Sequence, residues 1–190
     1  MHRPPPLAFA LVALLAFSSA WGAVKFFPKD ALSAAEERRY ARQLSAMKEP
    51  ALTVHEEEPG YFGFRLLFLP TWGRPMALRI ERQGGIGTRR AVVLSSSGGK
   101  IYEEETAKLA PEEIATIVTN LKASGFWELP TRDDVTGFDG NQLVIEVIQE
   151  GKHIVFARWT PEHNAADRGL TGLIEFYRRL IEESGVGKKR

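Results

Sequence analysis

Four side chains, Asp139, Glu146, His153 and His163, are of the types that do acid–base or metal chemistry. A histidine beside a carboxylate is the smallest set that can activate water as a general base, and the same groups ligate divalent metals. Their spacing argues against a ready-made centre. None of the four histidines stands four residues from another, and no H-E-x-x-H occurs. His153 and the Glu162–His163 pair fall at opposite ends of one predicted strand, about 25–30 Å apart at about 3.3 Å per residue. The alternative function that this leaves is a hydrolase or metal-dependent enzyme in which the chain folds back to bring Asp139, Glu146, His153 and His163 together.

Three further motifs fail on their chemistry. Asp133, Asp134, Asp139, Asn141 and Glu146 resemble a calcium loop, with Gly140 at the turn position and Glu146 twelfth. The first and third ligand positions then fall on Val135 and Gly137, which carry no side-chain oxygen, so only an irregular cation site is left. Ser97-Gly98-Gly99-Lys100 has the serine–lysine spacing of penicillin-recognising enzymes. There the serine opens a helix, whereas two glycines here make a turn, and the companion motifs are absent. Gly84-Gly85-Ile86-Gly87 lacks the third glycine of a dinucleotide loop and the helix after it. No cofactor and no metal centre is expected.

The aromatic residues offer a binding surface instead. Trp72, Trp127, Phe138 and Trp159 fall at turns or element ends, where a ring either closes a corner of the core or forms an exposed patch. Arg65, Arg74 and Arg158 lie near them in sequence, and Asp139 sits beside Phe138. The candidate binding residues are therefore Trp72, Arg74, Trp127, Phe138, Asp139, Arg158 and Trp159. An ion pair between Arg158 and Glu146 is the structural alternative for that arginine. The loops Thr71–Pro75 and Thr131–Asn141 carry most of the set, as loops on a rigid sheet usually do.

The elements that must position these residues are legible from periodicity. Ser33 and Glu36 form a capping box for a helix over Asp30–Lys48, whose thin stripe of Tyr40, Leu44 and Met47 marks a helix resting on something else or a spacer. His55-Glu56-Glu57-Glu58-Pro59-Gly60 is a polar break and a candidate boundary. Period-two alternation then runs from Tyr61 to Pro70 and from Met76 to Glu81, with further strands over Thr88–Ser95 and Lys100–Thr106. Pro111, Glu112 and Glu113 open an amphipathic helix that Gly125 stops. Gln142–Gln149 and Lys152–Trp159 form a hairpin, and Asn164 caps a last helix that ends at Gly185. The fold class expected is α+β: a mostly antiparallel meander of about six strands, two amphipathic helices on one face, and an N-terminal helix.

The N-terminus sets the compartment. Arg3 and three prolines precede the apolar run Leu7–Phe17, and small residues follow at Ser18, Ser19, Ala20, Gly22 and Ala23. This is the pattern of a secretory signal peptide over residues 1–22, with an uncleaved membrane anchor as the alternative. The expected division is residues 1–22 leader, 23–58 helical segment and linker, and 59–190 a single α+β domain. The expected location is periplasmic or secreted, or inner-membrane anchored with the domain outside the cytoplasm. The chain has no cysteine, which excludes disulfides, thiolate metal sites and a lipid-modified cysteine. Without Arg3 the basic and acidic residues balance at 24 each, and a neutral chain lacks the field of a nucleic-acid binder.

The segments Phe68-Leu-Pro-Thr-Trp-Gly-Arg-Pro-Met76, Gly125-Phe-Trp-Glu-Leu-Pro130, Phe138-Asp-Gly140 and Arg158-Trp-Thr-Pro161 resemble a family of small exported bacterial proteins of unknown function. The resemblance runs from about Glu49 to Gly185 and implies export and a shared domain, with no activity attached. Together these readings predict an exported, non-enzymatic domain that binds a protein or a cell-envelope component. It binds no nucleic acid and meets the membrane only through its N-terminal segment, if that segment is retained.

Overall fold

A computed structural model describes residues 25–187. The leader expected over residues 1–22 lies outside the described residues. Six strands form one open sheet: β1 (Phe62–Pro70), β2 (Met76–Gln83), β3 (Ile86–Leu94), β4 (Ile101–Leu109), β5 (Asn141–Gln149) and β6 (Lys152–Trp159). Their spatial order is β4-β3-β2-β1-β5-β6, and every neighbouring pair is antiparallel. The first four strands are a meander. The chain then crosses to the far side of β1 through helix α2 (Pro111–Ala123), and the β5–β6 hairpin completes the sheet.

One face carries Phe62, Phe64, Leu66, Leu78, Ile80, Leu143, Ile145 and Phe156, all buried under α2 and α3 (Thr171–Ser184). Ile114, Ile117 and Leu121 of α2 and Leu173, Tyr177 and Leu180 of α3 supply the helical half of this core. The sequence-based helix stripes are thus the buried stripes. Gly125 ends α2 in the left-handed conformation at φ 77°, and Gly185 ends α3 at φ 80°. Glu113 accepts a hydrogen bond from the Ala110 N–H at 2.7 Å, which satisfies one orphan donor at the start of α2.

The opposite face is also covered. Helix α1 (Ala34–Ala46) and the segment before it lay Phe27, Tyr40, Leu44 and Met47 on Leu67, Leu69, Ala77, Val92, Val144 and Val155. The N-terminal helix is therefore a third layer packed on the sheet, and its thin apolar stripe is the width of that contact. Ser33 caps it as the capping box requires, with the Ser33 N–H 3.0 Å from Glu36 Oε2 and the Glu36 N–H 3.4 Å from Ser33 Oγ. The polar break at residues 55–60 is a turn of packed chain: Leu52 packs with Tyr61 and Ile148 beside it.

α3 begins later than its sequence signal. Asn164 is left-handed at φ 50°, and Leu170 occupies the N-cap position. The turn that precedes Asn164 is gathered by Arg168, whose guanidinium donates to the carbonyls of Thr160, His163 and Trp159 at 2.9, 2.9 and 3.2 Å. A loop that closes on an arginine in this way leaves its asparagine in a turn rather than at a helix start.

The two ends of the sheet differ. At the end where β1 begins and β5 finishes lie Tyr61, Ile148 and the short 3-10 turn Leu52–His55. Lys25 is held there, its carbonyl accepting from the Thr53 hydroxyl at 2.6 Å. At the other end, where β1 finishes and β5 begins, stand the loops over residues 71–75 and 131–141.

Candidate functional site

The two loops named in the sequence reading are fastened together. The Thr71 N–H and hydroxyl both donate to the Gly140 carbonyl, at 2.9 and 2.6 Å, and the Gly140 N–H donates back to Thr71 Oγ1 at 2.9 Å. The next residue continues the fastening, with the Asn141 N–H 3.1 Å from Thr160 Oγ1. Such a closed set of short contacts holds a loop tip in one conformation and leaves few backbone groups for water.

Trp159 explains the glycines of this loop. A Cβ on Gly137 would meet the Trp159 ring at 2.2 Å, and one on Gly140 would meet Thr160 Oγ1 at 2.1 Å and Trp159 Nε1 at 2.7 Å. The chain therefore wraps the indole with backbone alone, and a glycine is required for that approach. The wrapping turns Phe138 outward: it is fully exposed, and Trp72 on the neighbouring loop is 84% exposed. Between Phe138, the half-buried Trp159, Thr71 and Arg39 lies a cleft of about 220 Å³. Asp139 is exposed beside it. Arg74 stacks its guanidinium 3.6 Å from the centre of the Tyr102 ring, which presents a flat cation–aromatic surface at the same end of the sheet.

Arg158 and Trp127 have other duties. Arg158 is buried, donates to the carbonyls of Thr131 and Pro130 at 2.7 and 2.5 Å, and stands over the Phe156 ring at 4.0 Å. Its Nε lies 3.1 Å from Asp133 Oδ2, and Arg168 Nε lies 2.8 Å from the same oxygen. Burial lowers the Arg158 guanidinium below its ordinary pKa; Asp133 opposes that effect and Arg168 adds to it. Asp133 thus sits between two arginines and pins the loop from behind. The ion pair expected between Arg158 and Glu146 does not form, because Phe156 and Arg158 share the helix-covered face while Glu146 lies on the other. Trp127 is half-buried in the core of the helix-covered face, edge-on to Phe126 at 5.3 Å.

The acid–base residues divide into two places. Glu146 and His153 meet, with Nε2 3.2 Å from Glu146 Oε1, and His153 Nδ1 lies 2.8 Å from Glu56 Oε1. Asp139 and His163 are exposed near the opposite end of β6, His163 lying 6.3 Å ring to ring from Trp159. The four side chains do not converge.

Glu146 and His153 belong instead to a charged row that the sequence reading did not find. Arg65, Arg79 and Arg90 stand opposite one another on β1, β2 and β3. Arg65 Nε donates to Glu146 Oε2 at 2.7 Å. Arg79 Nε donates to Glu49 Oε2 at 2.9 Å, Arg90 pairs with the other oxygen of Glu49, and Arg90 Nε donates to Glu104 at 2.9 Å. Arg65 and Arg90 also donate to the backbone carbonyls of Pro50 and Met47. Arg65 and the Glu49 side chain are wholly buried. Burial by itself lowers the Arg79 guanidinium, and the carboxylates of Glu49 and Glu81 more than offset this and hold it above its ordinary pKa. The segment after α1 is therefore strapped to the sheet by charge-assisted bonds, which are shorter and stronger than neutral ones.

Among the described residues, no group of three or more His, Asp or Glu side chains is placed to hold a metal ion. No helix among them is long and apolar enough to cross a membrane. No known family matches the chain, and no curated protein matches it.

Proposed function

We propose that this protein is an exported binding module, without a catalytic role, that engages another protein or a cell-envelope component through its loop end. The observation that carries the reading is the exposure of Trp72 and Phe138 on two loops that are bonded to each other and to the sheet. Large rings held in water at fixed positions are costly for a monomer, and burying one releases about 1.5–3 kcal/mol. Because the loops are already ordered, little conformational entropy is lost on contact. Arg74 on Tyr102, Asp139 and the cleft beside Trp159 supply the polar and shape contacts that give such a surface a preference. The N-terminal pattern of a leader supports a partner outside the cytoplasm.

A photo-crosslinking residue at position 138, with the protein expressed in its native host, tests this. One discrete adduct is expected, and Trp72→Ala should reduce it at least tenfold while leaving thermal unfolding unchanged. If position 138 gives no adduct, or if the Trp72→Ala protein gives the same one at the same yield, the loop end is not a contact surface.

A further inference from the structure

One arginine on the helix-covered face differs from the rest. Arg65, Arg79, Arg90, Arg158 and Arg168 each reach a carboxylate within 3.1 Å. Arg89 stands opposite Ile80 on β2 and Ala107 on β4, on the helix-covered face, with Glu105 and Glu103 further along the same side of β4. It is half-buried, and among the described residues it has neither a hydrogen bond nor an ion pair. Leaving a guanidinium half-desolvated without a partner is unfavourable, and such groups are normally paired.

Arg89 opens into a groove of about 380 Å³ between α2 and α3. Leu109, Ile117, Phe176 and Leu180 form its apolar lining. The volume falls in the range of small-molecule sites, which pair an apolar wall with a few convergent polar groups. Glu112 and Glu183 stand exposed at the mouth, with Arg179 beside them. Glu113 also lines the groove, but its carboxylate is engaged by the Ala110 N–H.

We infer that the α2–α3 groove is a binding site for a small zwitterion with an apolar body, of the chemical class of a free apolar α-amino acid. The ligand carboxylate meets Arg89 in a charge-assisted, two-pronged contact. The ammonium group meets Glu112 and Glu183 at the mouth, and the apolar side chain lies against Ile117, Phe176 and Leu180. The charge pattern selects this occupant. A simple anion satisfies Arg89 but meets two carboxylates against the single guanidinium of Arg179 at the entrance, and a simple cation leaves Arg89 unmet. This site is separate from the loop end and does not depend on that reading.

Calorimetric titration of the purified protein with L-phenylalanine and L-leucine tests the assignment. N-acetyl-L-phenylalanine, which has no ammonium, L-phenylalaninamide, which has no carboxylate, and octanoate serve as the other probes. Saturable binding of the free amino acids is expected, with both blocked derivatives at least tenfold weaker. Arg89→Gln should weaken phenylalanine at least tenfold without lowering the urea midpoint, because Arg89 makes no internal bond. Glu112→Gln, on an exposed position, should weaken phenylalanine and tighten N-acetyl-L-phenylalanine, which then meets one carboxylate fewer. Absence of saturation, octanoate binding as tightly as phenylalanine, or indifference to both substitutions would overturn the proposal.

Discussion

Glu49 is the residue on which the charged row turns. Its two carboxylate oxygens are divided between Arg79 and Arg90, and Arg65 approaches within 3.9 Å. Removing one member of a buried charge set leaves its partners desolvated and uncompensated, which costs about 3–5 kcal/mol. Glu49→Gln is therefore expected to lower the urea-unfolding free energy by about that much. Replacing Arg65 and Glu146 together with Met and Leu should cost far less than Arg65→Met alone, since an ion pair exchanged for apolar groups of similar volume is often neutral. A double-mutant cycle on urea midpoints measures both. If the two single changes and the double are additive, the pair is uncoupled and the row is not a unit. None of this was legible from the chain. Arg65, Arg79 and Arg90 occupy alternate strand positions, which read as a solvent face, and Glu49 lies outside any periodic segment. Only the covering strap converts that face into an interior, and its contact with Arg65 is made through tertiary packing.

At the scale of elements, local chemistry was readable and long-range closure was not. The capping box, the glycine stops of α2 and α3, the strand alternation and the β5–β6 hairpin all stand where the residues indicate. The late start of α3 was not readable, because Arg168 decides it by binding three carbonyls of the preceding turn. The landing place of α1 was not readable either. That helix makes a prediction of its own. Burial raises the Glu36 carboxyl, but the hydrogen bonds from Ser33 and the charge of Arg132 outweigh it and hold the pKa below its ordinary value. A depressed carboxylate contributes stability that is fully present above its unfolded pKa and is lost as pH falls through the folded one. Ser33→Ala should cost about 1 kcal/mol near neutrality. That cost should shrink as pH falls below about 4. Urea unfolding of both proteins across this range checks it, and a penalty that does not change with pH would place the capping contribution elsewhere. The candidate site shows the same division. Turn position left each ring open between a core corner and an exposed patch, and it is the packing that exposes Trp72 and Phe138 while half-burying Trp127 and Trp159. The clamp of Asp133 by Arg158 and Arg168, and the burial of Arg158 that goes with it, required the three-dimensional arrangement.

For the whole molecule, burial of tyrosines on both faces sets the alkaline limit. Burial, with the Glu36 carboxylate nearby, pushes Tyr40 up to about 12. Tyr61 and Tyr177 rise further, each through burial first and then a neighbouring carboxylate, Glu81 or Glu162. An acid whose folded pKa is raised holds its proton longer in the native state. The stability it contributes is complete below the unfolded value near about 10 and falls as pH climbs toward the folded value. In a Tyr102→Phe protein, which lacks the one exposed tyrosine among the described residues, tyrosinate absorbance should therefore appear in step with loss of the circular-dichroism signal, as one cooperative event. Titration of Tyr40, Tyr61 and Tyr177 with the fold intact would contradict their burial. The chain also enters this body at one pole. Lys25 is fixed beside Thr53 where β1 starts, and Trp72 and Phe138 stand past the far ends of the same strands, about 30 Å away for the nine residues of β1. A tether joined at Lys25 itself, to a carrier or a sensor chip, consequently grips the molecule at the pole away from the two aromatic tips and leaves them free for contact.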